Sequence, residues 1–428
     1  MERIAILSGL RTPMAKAGGK LKTMQADTLG SRLLRETMLR SPIDFHEVDE
    51  VIIGNVAQPI HAANIARVIA LRAGFPEATP AMTVHRNCAS GMEAITTATA
   101  RIHADEGSIY LCGGVESMSN IPLVYSRKMT ALFEKLSKSK TILDRVRALF
   151  GFRPAFLKPV IGLMSGLTDP VSGLLMGSTA EVLARDFGIS RQEQDIFSLE
   201  SHQKALRARE RGRFAEEIMP IVYDEFKGSV LEHDNGIRAG QTMEKLARLR
   251  PFFDKRNGTV TAGNSSQITD AAAAVVIMSE SEARQRRLAP LGYLRAYSYA
   301  GLDPKRMGLG PVFATSKLLQ KTGLSMRDID LVEINEAFAA QIIACLKAFD
   351  STIFARTHLR ADRPVGAIDP DILNVNGGAI ALGHPVGMTG IRLVLTLLHE
   401  LRERKLQTGL ATLCIGGGQG AALLLEVE

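Results

Sequence analysis

Short apolar runs alternate along this chain with longer stretches in which apolar positions recur at helical spacing. In the first third, residues 4–7, 51–54, 81–85 and 108–112 predict strands. Between them, residues 28–40 and 88–103 predict helices. Strands that alternate with helices indicate an α/β fold built around a buried sheet.

The pattern of the first third returns near the C-terminus. Three pairs of segments resemble each other in the same order: 45–51 and 326–332, 88–92 and 384–388, 111–114 and 413–416. This order favours two similar halves of one duplicated unit. The alternative is chance, because glycine-rich junctions between strand and helix recur in α/β proteins generally.

The region between the halves has a different character. Residues 118–253 contain helical patterns at 179–187 and 191–213 and few strand patterns. We predict an inserted, mainly helical loop domain here. The N-terminal half then comprises 1–117 together with about 254–280, and the C-terminal half comprises 281–428.

The positive charge of the chain is localised. The formal net charge is +7, from 52 Lys and Arg against 45 Asp and Glu. Residues 127–158 hold nine basic and two acidic residues, and nine minus two already equals that excess. Nucleic-acid-binding proteins more often spread basic residues over a whole face, so no nucleic-acid partner is expected.

The same segment predicts an amphipathic basic helix. Leu132, Leu136, Leu143, Val146 and Phe150 fall near helical spacing, with Lys and Arg between them. Such a helix fits a membrane surface or a groove on a partner protein. A solvated helix packed on its own domain is an equally good interpretation.

Cysteine content and termini bear on the compartment. The four cysteines include no CxxC pair, so neither a disulfide framework nor a zinc site is expected. No apolar run reaches the roughly 20 residues needed to span a bilayer, and the N-terminus does not resemble a leader. We expect a protein of a bacterial cytoplasm or an organelle matrix, neither secreted nor transmembrane.

Cys88 stands where a predicted strand ends and a helix begins. Unpaired N–H groups and the positive end of the helix dipole lie at such a junction, and they lower the pKa of a thiol. Small neighbours, Ala89, Ser90 and Gly91, would let a substrate approach. Cys88 is a candidate nucleophile, although cysteine also occurs as a small buried apolar residue.

His384 ends a glycine-rich loop at another predicted helix start. A single histidine is more often structural than catalytic. His384 is nevertheless the repeat partner of Cys88, so a two-fold arrangement of the halves would bring the two helix starts together. Cysteine and histidine in proximity can produce an activated thiolate.

Two further strand ends carry candidate chemistry. Cys414 enters a glycine cluster whose backbone N–H groups are unblocked, which suits an oxyanion hole, a phosphate cradle or a tight turn. Asn335 follows an apolar strand, and parallel sheets bind ligands at the carboxyl ends of their strands. Two thiols, one imidazole and one amide form a coherent set for carbon–carbon chemistry on a thioester.

Four motifs resemble the thiolase family over essentially the whole chain: residues 87–91 (NCASG), 335–338 (NEAF), 383–385 (GHP) and 414–418 (CIGGG). The resemblance implies a five-layer α-β-α-β-α fold with a loop domain and a homodimer or dimer of dimers. It also implies a 3-ketoacyl-CoA thiolase activity, in which CoA cleaves a 3-oxoacyl-CoA in fatty-acid β-oxidation. CoA is then a substrate, and neither a cofactor nor a metal is expected.

The resemblance also implies roles for individual residues. Cys88 would be acylated, His384 would activate it, Cys414 would move the α-proton, and Asn335 would hold a water. The N–H groups of Cys88 and Gly416 would form an oxyanion hole. The implied contacts with CoA or the acyl chain are Ser266, Met176, Ala262, Gly263 and Phe338.

One residue departs from the short-chain pattern of the family. Biosynthetic thiolases carry a histidine just before the Met-Gly pair, where this chain has Leu175. An apolar residue there favours a degradative enzyme for longer acyl chains. With segment 127–158, it resembles the thiolase subunit of the fatty-acid oxidation complex, which implies a hydratase/dehydrogenase partner subunit or a membrane surface.

Two alternatives remain at this stage. An acetyl-CoA acetyltransferase would use the same chemistry on a short substrate. A non-catalytic lipid carrier or scaffold could retain the fold, although all four reactive positions are filled. A ketoacyl synthase fits less well, because its second catalytic histidine has no counterpart at 335–338.

Overall fold

The computed structural model describes residues 2–428, so residue 1 of the predicted N-terminal half lies outside it. The strands are β1 Ile4–Arg11, β2 Ala15–Lys16, β3 Glu50–Gly54, β4 Ala81–Val84, β5 Ile109–Glu116, β6 Leu123–Val124, β7 Val160–Ile161, β8 Ile221–Asp224, β9 Ser229–Leu231, β10 Thr269–Ser279, β11 Gly292–Gly301, β12 Leu331–Ile334, β13 Thr408–Ile415 and β14 Gln419–Glu426. The helices are α1 Ala26–Leu39, α2 Ile65–Ala73, α3 Ser90–His103, α4 Arg127–Lys138, α5 Ile142–Phe150, α6 Gly162–Gly166, α7 Met176–Asp186, α8 Arg191–Glu210, α9 Met243–Ala247, α10 Glu280–Gln285, α11 Gly310–Thr322, α12 Ala339–Phe349, α13 Thr352–Phe354, α14 Ala379–Leu382 and α15 Thr389–Arg404.

The large sheet repeats one pairing pattern in its two halves. Its strand order is β12-β13-β14-β11-β1-β10-β5-β3-β4. In the first half β1 pairs antiparallel with β10, β10 antiparallel with β5, and β5 parallel with β3. In the second half β11, β14, β13 and β12 pair in the same sequence of directions. The predicted duplication of an α/β unit is therefore confirmed.

Alternation along the strands produces separate hydrophobic cores. In β10, Ala271, Ala273, Val275 and Ile277 join one core, whereas the residues between them join another. The first core is shared by α3 and α15, which lie between the two half-sheets. The outer faces are covered by α1 and α2 in one half and by α11 and α12 in the other. These layers give the α-β-α-β-α order that the resemblance implied.

Residues 121–168 form a compact unit of their own. The prediction of one amphipathic helix over residues 127–158 is wrong, because these residues contain two α-helices, α4 and α5. The break has a local cause: the Thr141 side chain accepts a hydrogen bond from the Asp144 N–H and so starts a new helix. None of the residues of α5 is buried, and Ile142 and Phe150 are 80% and 86% exposed.

The division into compact units differs from the predicted loop domain, 118–253. Residues 169–253 belong to the same unit as both halves of the sheet. Helix α7 packs against α12, and α8 packs against α14. The helical pattern of this region did not reveal these contacts. Within residues 2–428, every helix is too short or too polar to cross a lipid bilayer.

Candidate active site

Glycines allow the N-terminal ends of α3 and α15 to approach each other closely. A Cβ atom on Gly390 would lie 2.4 Å from the backbone nitrogen of Met92, and one on Gly91 would lie 2.9 Å from that of Ile391. Any side chain at these positions would push the two helices apart. The contact joins the segment that carries Cys88 to the segment that carries His384.

The backbone before α3 places Cys88 outside the helix. Asn87 has a left-handed conformation with φ of 44°, which asparagine tolerates better than most residues. The Ser90 hydroxyl donates to the Asn87 carbonyl at 2.7 Å and accepts from the Arg86 N–H at 2.9 Å. This turn holds the half-buried Cys88 thiol in a fixed position just before the helix.

The glycine loop after Cys414 meets the Cys88 turn. Gly417 and Gly418 have φ of 88° and 81°, so the loop needs residues without a Cβ. The Asn87 side-chain amide donates to the Gly416 carbonyl at 2.7 Å. The N–H of the same residue, on the other side of its Cα, lies within hydrogen-bonding reach of the Cys88 sulfur.

The expectation that the helix start lowers the pKa of Cys88 is wrong. Burial raises the pKa of this thiol above its ordinary value, and hydrogen bonds from the N–H groups of Gly416 and Cys88 lower it by less. The helix start therefore does not lower the pKa overall, because loss of solvent outweighs the local donors. The resting thiol is protonated at neutral pH and requires a base.

The hydrogen bonds around His384 define its tautomer. The Thr389 hydroxyl donates its one proton to the Pro385 carbonyl at 2.9 Å. The same oxygen lies 2.6 Å from His384 Nδ1, so it accepts a proton carried by Nδ1. The Nε2 atom consequently holds a free lone pair, and it is buried without a hydrogen-bond partner among residues 2–428.

His384 is suited to act as a neutral base. Its pKa is lowered to about 4, first by burial and then by the guanidinium of Arg392. The imidazole is therefore uncharged at neutral pH and available to accept a proton at Nε2. Its backbone N–H donates to the Gln267 carbonyl at 3.0 Å, which fixes the loop on which it lies.

Asn335 is completely buried, and its side chain has no hydrogen-bond partner on either atom within the described chain. Its backbone N–H donates to the Thr412 carbonyl at 3.0 Å, two residues before Cys414. A buried amide without a partner is costly unless a water or ligand satisfies it. The side chain of Asn335 is therefore free to hold a water or a substrate oxygen.

Cys414 is a second buried thiol in the same region. Burial raises its pKa well above the ordinary value, and negative charge on Cys88 or Cys345 raises it further. The interaction between the two sulfur atoms means that they lie close enough to influence each other's ionisation. Cys414 is protonated in the resting protein and can donate a proton.

The predicted contacts with CoA and the acyl chain lie around these groups. The Ser266 N–H donates to the Ala337 carbonyl at 2.9 Å, next to Phe338. The Met176 sulfur would lie 3.2 Å from a Cβ on Gly416. Gly263 is buried in the loop before Ser266, and Ala262 beside it is exposed. The Phe338 ring packs edge-on against Phe253 with centroids 6.2 Å apart.

Sequence reasoning missed three residues that organise this site: Asn87, Thr389 and Glu116. Asn87 and Thr389 lie within five residues of a predicted reactive side chain, but their partners are set by the folded loops. Glu116 is the last residue of β5, shortly after Gly113 and Gly114. A charged residue at the end of a buried strand was the available signal.

Comparisons with known families match nearly the whole chain. The family described as "Thiolase, N-terminal domain" matches residues 4–281, and "Thiolase, C-terminal domain" matches residues 288–427. A "3-ketoacyl-CoA thiolase" of Yersinia enterocolitica is 40% identical over 100% of this chain and 97% of its own length.

Solved structures agree with this assignment of the fold. A Bacillus anthracis acetyl-CoA acetyltransferase has a TM-score of 0.87 and 39% identity, covering 100% of this chain and 99% of its own. The human mitochondrial 3-ketoacyl-CoA thiolase in complex with CoA has a TM-score of 0.84 and 36% identity, covering 100% of this chain and 98% of its own.

Proposed function

This chain belongs to the thiolase family and is an acyltransferase, and on that premise we propose that it is a degradative 3-ketoacyl-CoA thiolase. The observation that carries the proposal is that two helix starts pack against each other at Gly91 and Gly390. One carries a protonated Cys88 thiol, and the other a neutral His384 whose Nε2 has no partner among residues 2–428. Cys414 and Asn335 provide a proton donor and an unsatisfied amide in the same region. These groups supply each proton transfer and charge stabilisation that the cleavage requires.

In the first half-reaction, the Cys88 proton passes to His384 Nε2 and the thiolate attacks the 3-oxo carbon. The N–H groups of Cys88 and Gly416 are candidates to stabilise the oxyanion. The bond between C2 and C3 then breaks and its electron pair goes to C2. Cys414 donates the proton that converts this carbanion to acetyl-CoA, which leaves the acyl group on Cys88.

In the second half-reaction, the thiol of CoA replaces acetyl-CoA. Its proton passes to the Cys414 thiolate, which restores that group. The CoA sulfur attacks the acyl carbon on Cys88, and the N–H groups of Cys88 and Gly416 are again the candidates to stabilise the oxyanion on that carbon. His384 and Asn335 are candidates to stabilise the other oxyanion, the thioester oxygen of acetyl-CoA that shares the negative charge of C2 in the first half-reaction. Cys88 leaves and regains its proton. Since no electrons are exchanged with an external acceptor and no phosphate is consumed, the proposed reaction needs no cofactor or metal.

The substrate is proposed to be longer than acetoacetyl-CoA. Leu175 gives the entrance beside Met176 an apolar residue. Curated relatives over the full length are named 3-ketoacyl-CoA thiolase. The likeness to an acetyl-CoA acetyltransferase supports the alternative of a short substrate. The compartment is proposed to be reducing, a bacterial cytoplasm or an organelle matrix, because all four cysteines are free thiols.

The assembly is proposed to be a homodimer or a dimer of dimers. Residues 121–168 are proposed to bind an anionic lipid surface, because α5 leaves an apolar face uncovered beside arginines. A hydratase/dehydrogenase partner subunit is the alternative occupant of that face.

Thiolysis of 3-oxoacyl-CoA substrates of four to sixteen carbons tests the proposed function. We expect a higher kcat/KM for the long substrates than for acetoacetyl-CoA. Activity confined to acetoacetyl-CoA would support the acetyltransferase instead. If the protein showed no iodoacetamide-sensitive thiolysis, a carrier or scaffold would be supported.

A pair of cysteine variants tests the assigned proton donor. In Cys414→Ala, acetyl-CoA should still acylate Cys88, because a CoA thiolate can leave without a proton. Thiolysis of a 3-oxoacyl-CoA should fall by several orders of magnitude, because the group that protonates C2 is gone. Cys112→Ala is the matched control: Cys112 is the repeat partner of Cys414, equally buried, and donates to the Ala94 carbonyl. Near-normal thiolysis by Cys414→Ala would show that another group carries the proton.

A further inference from the structure

Glu116 is a buried carboxylate at the end of β5. It is fully buried, and no lysine or arginine among residues 2–428 donates to it. Oε1 accepts from the Ala57 N–H at 2.9 Å and from Asn55 Nδ2 at 3.2 Å. Oε2 accepts from the Gly387 N–H at 2.9 Å and from the Val56 N–H at 3.1 Å.

These four hydrogen bonds join the two halves of the molecule. Residues 55–57 follow β3 of the first half, whereas Gly387 lies in the second half, between His384 and its partner Thr389. A Cβ on Gly387 would lie 2.9 Å from Glu116 Oε2 and equally close to the Gly54 carbonyl oxygen. The carboxylate therefore fixes the His384 loop at a point where the backbone has no room to move inward.

A buried carboxylate without a counterion destabilises the folded state. The pKa of Glu116 is raised to about 7, chiefly by burial and also by the negative charge of Asp270, although the backbone N–H groups that bind the carboxylate lower it. Its charge also raises the pKa of the Cys88 thiol. An apolar residue would avoid both effects but could accept none of the four hydrogen bonds, so these directed bonds are the property that the carboxylate supplies here.

We propose that Glu116 is a positioning residue for the thiolase reaction, holding the loop that carries His384 in register with the turn that carries Cys88. This inference rests on the proposed function for its kinetic consequences. Its effect on the reactivity of Cys88 can be measured without any substrate, because iodoacetamide reacts with the half-exposed Cys88 and the other three thiols are buried.

Two substitutions separate the hydrogen bonds from the charge. Glu116→Ala removes both. Glu116→Gln removes the charge but keeps an amide oxygen for the N–H groups of Gly387 and Val56. Its new NH2 group faces the Ala57 N–H, which loses its acceptor. The NH2 group can donate to Asn55 Oδ1, which has no partner within residues 2–428, once the Asn55 amide turns over and gives up its bond to the Val115 carbonyl. These losses lie beside β3, so the bond to the Gly387 N–H on the His384 loop is kept.

The control is Asp49→Ala. Asp49 accepts hydrogen bonds from the N–H groups of Ser108 and Ile109 at the opposite end of the same strand. Its loss should lower stability without changing the chemistry of Cys88. Each variant is measured for thiolysis, for the rate of Cys88 alkylation by mass spectrometry, and for thermal stability.

We expect Glu116→Ala to lower both kcat and the Cys88 alkylation rate by about 100-fold, the loss that a misplaced catalytic group typically causes, with KM unchanged. Glu116→Gln should stay within about threefold of wild type, and alkylation should be no slower, since removing a negative charge lowers the thiol pKa. Should the alanine variant not fold, Glu116→Asp replaces it, because its shorter side chain withdraws the carboxylate from the Gly387 N–H.

A folded Glu116→Ala that is alkylated at the wild-type rate would overturn the inference. So would a Glu116→Gln variant as slow as the alanine variant, because geometry would then not be the property that matters. If the wild type cleaves no 3-oxoacyl-CoA, the proposed function fails, and the alkylation rates still decide the role of Glu116.

Discussion

The Asn87 side-chain amide donates to the carbonyl oxygen of Gly416 at 2.7 Å, across 329 residues of sequence. The bond anchors Gly416 on its carbonyl side, and the N–H on the other side of the same residue lies within reach of the Cys88 sulfur. One amide therefore joins the loop of the candidate nucleophile to the loop that follows the candidate proton donor.

Substitution of Asn87 tests this connection. Asn87→Gly accepts the left-handed backbone conformation and removes only the amide. We expect kcat for acylation of Cys88 to fall by about 10- to 100-fold, because one oxyanion donor loses its orientation, while the melting temperature changes little. Pre-steady-state release of acetyl-CoA measures this step. Asn87→Ala should show the same kinetic loss and, in addition, a lower melting temperature, because alanine is strained at the positive φ. Equal kinetics in wild type and Asn87→Gly would contradict the role assigned to the amide.

Thr389 is expected to set the tautomer of His384. In Thr389→Val the hydroxyl that accepts the Nδ1 proton is lost, so the imidazole can carry its proton on Nε2 instead. We expect kcat/KM to fall by about 100-fold, within the range by which a general base contributes. Thr389→Ser keeps the hydroxyl and should retain most of the activity. A valine variant with normal kcat/KM would mean that another group fixes the imidazole.

The depressed pKa of His384 predicts a dependence of stability on pH. The folded value is about 4, whereas the unfolded value is about 6.5. Between these pH values the unfolded chain binds the extra proton, so this histidine makes the protein more stable as pH rises. Glu116 and Glu333, whose pKa values are raised to about 7, act in the opposite direction between about 4.5 and 7.

The contribution of His384 is therefore measured as a difference. The free energy of unfolding of wild type minus that of His384→Asn should grow by up to about 3 kcal/mol between pH 4 and pH 6.5, and then level off. Denaturant titrations at one protein concentration give both values. A difference that does not change with pH would show that the imidazole is solvated in the folded protein.

The sequence predicted the α/β fold, its duplication and a set of candidate reactive side chains, but it did not predict the environment of those side chains. Cys88 and His384 were identifiable because glycine-rich helix starts and internal repeats are local patterns. The raised pKa of Cys88 could not be predicted, because the burial of the thiol depends on chain segments that are distant in sequence. The same holds for Glu116, whose partners lie about 60 and 271 residues away.

The sequence pattern did not predict the two helices within residues 127–150, for a different reason. The apolar positions of α4 and α5 continue one helical period across residues 139–141, so their spacing alone reads as a single helix. The capping hydrogen bond of Thr141 marks the break. A threonine in a polar segment does not by itself predict a helix cap, so the sequence did not reveal it.

Binding of residues 121–168 to lipid can be tested with vesicles. We expect the protein to sediment with phosphatidylglycerol vesicles and to be released by salt, because each Lys or Arg near an anionic surface contributes about 1 kcal/mol. The double variant Ile142→Ser/Phe150→Ser should lose binding, since those two side chains are 80% and 86% exposed on α5. Phe226→Ser, which changes a fully exposed phenylalanine outside the segment, is the control. Equal sedimentation with phosphatidylcholine vesicles would contradict binding to an anionic surface. If the double variant still sedimented with lipid but no longer co-eluted with a hydratase/dehydrogenase subunit, this face would be assigned to that subunit.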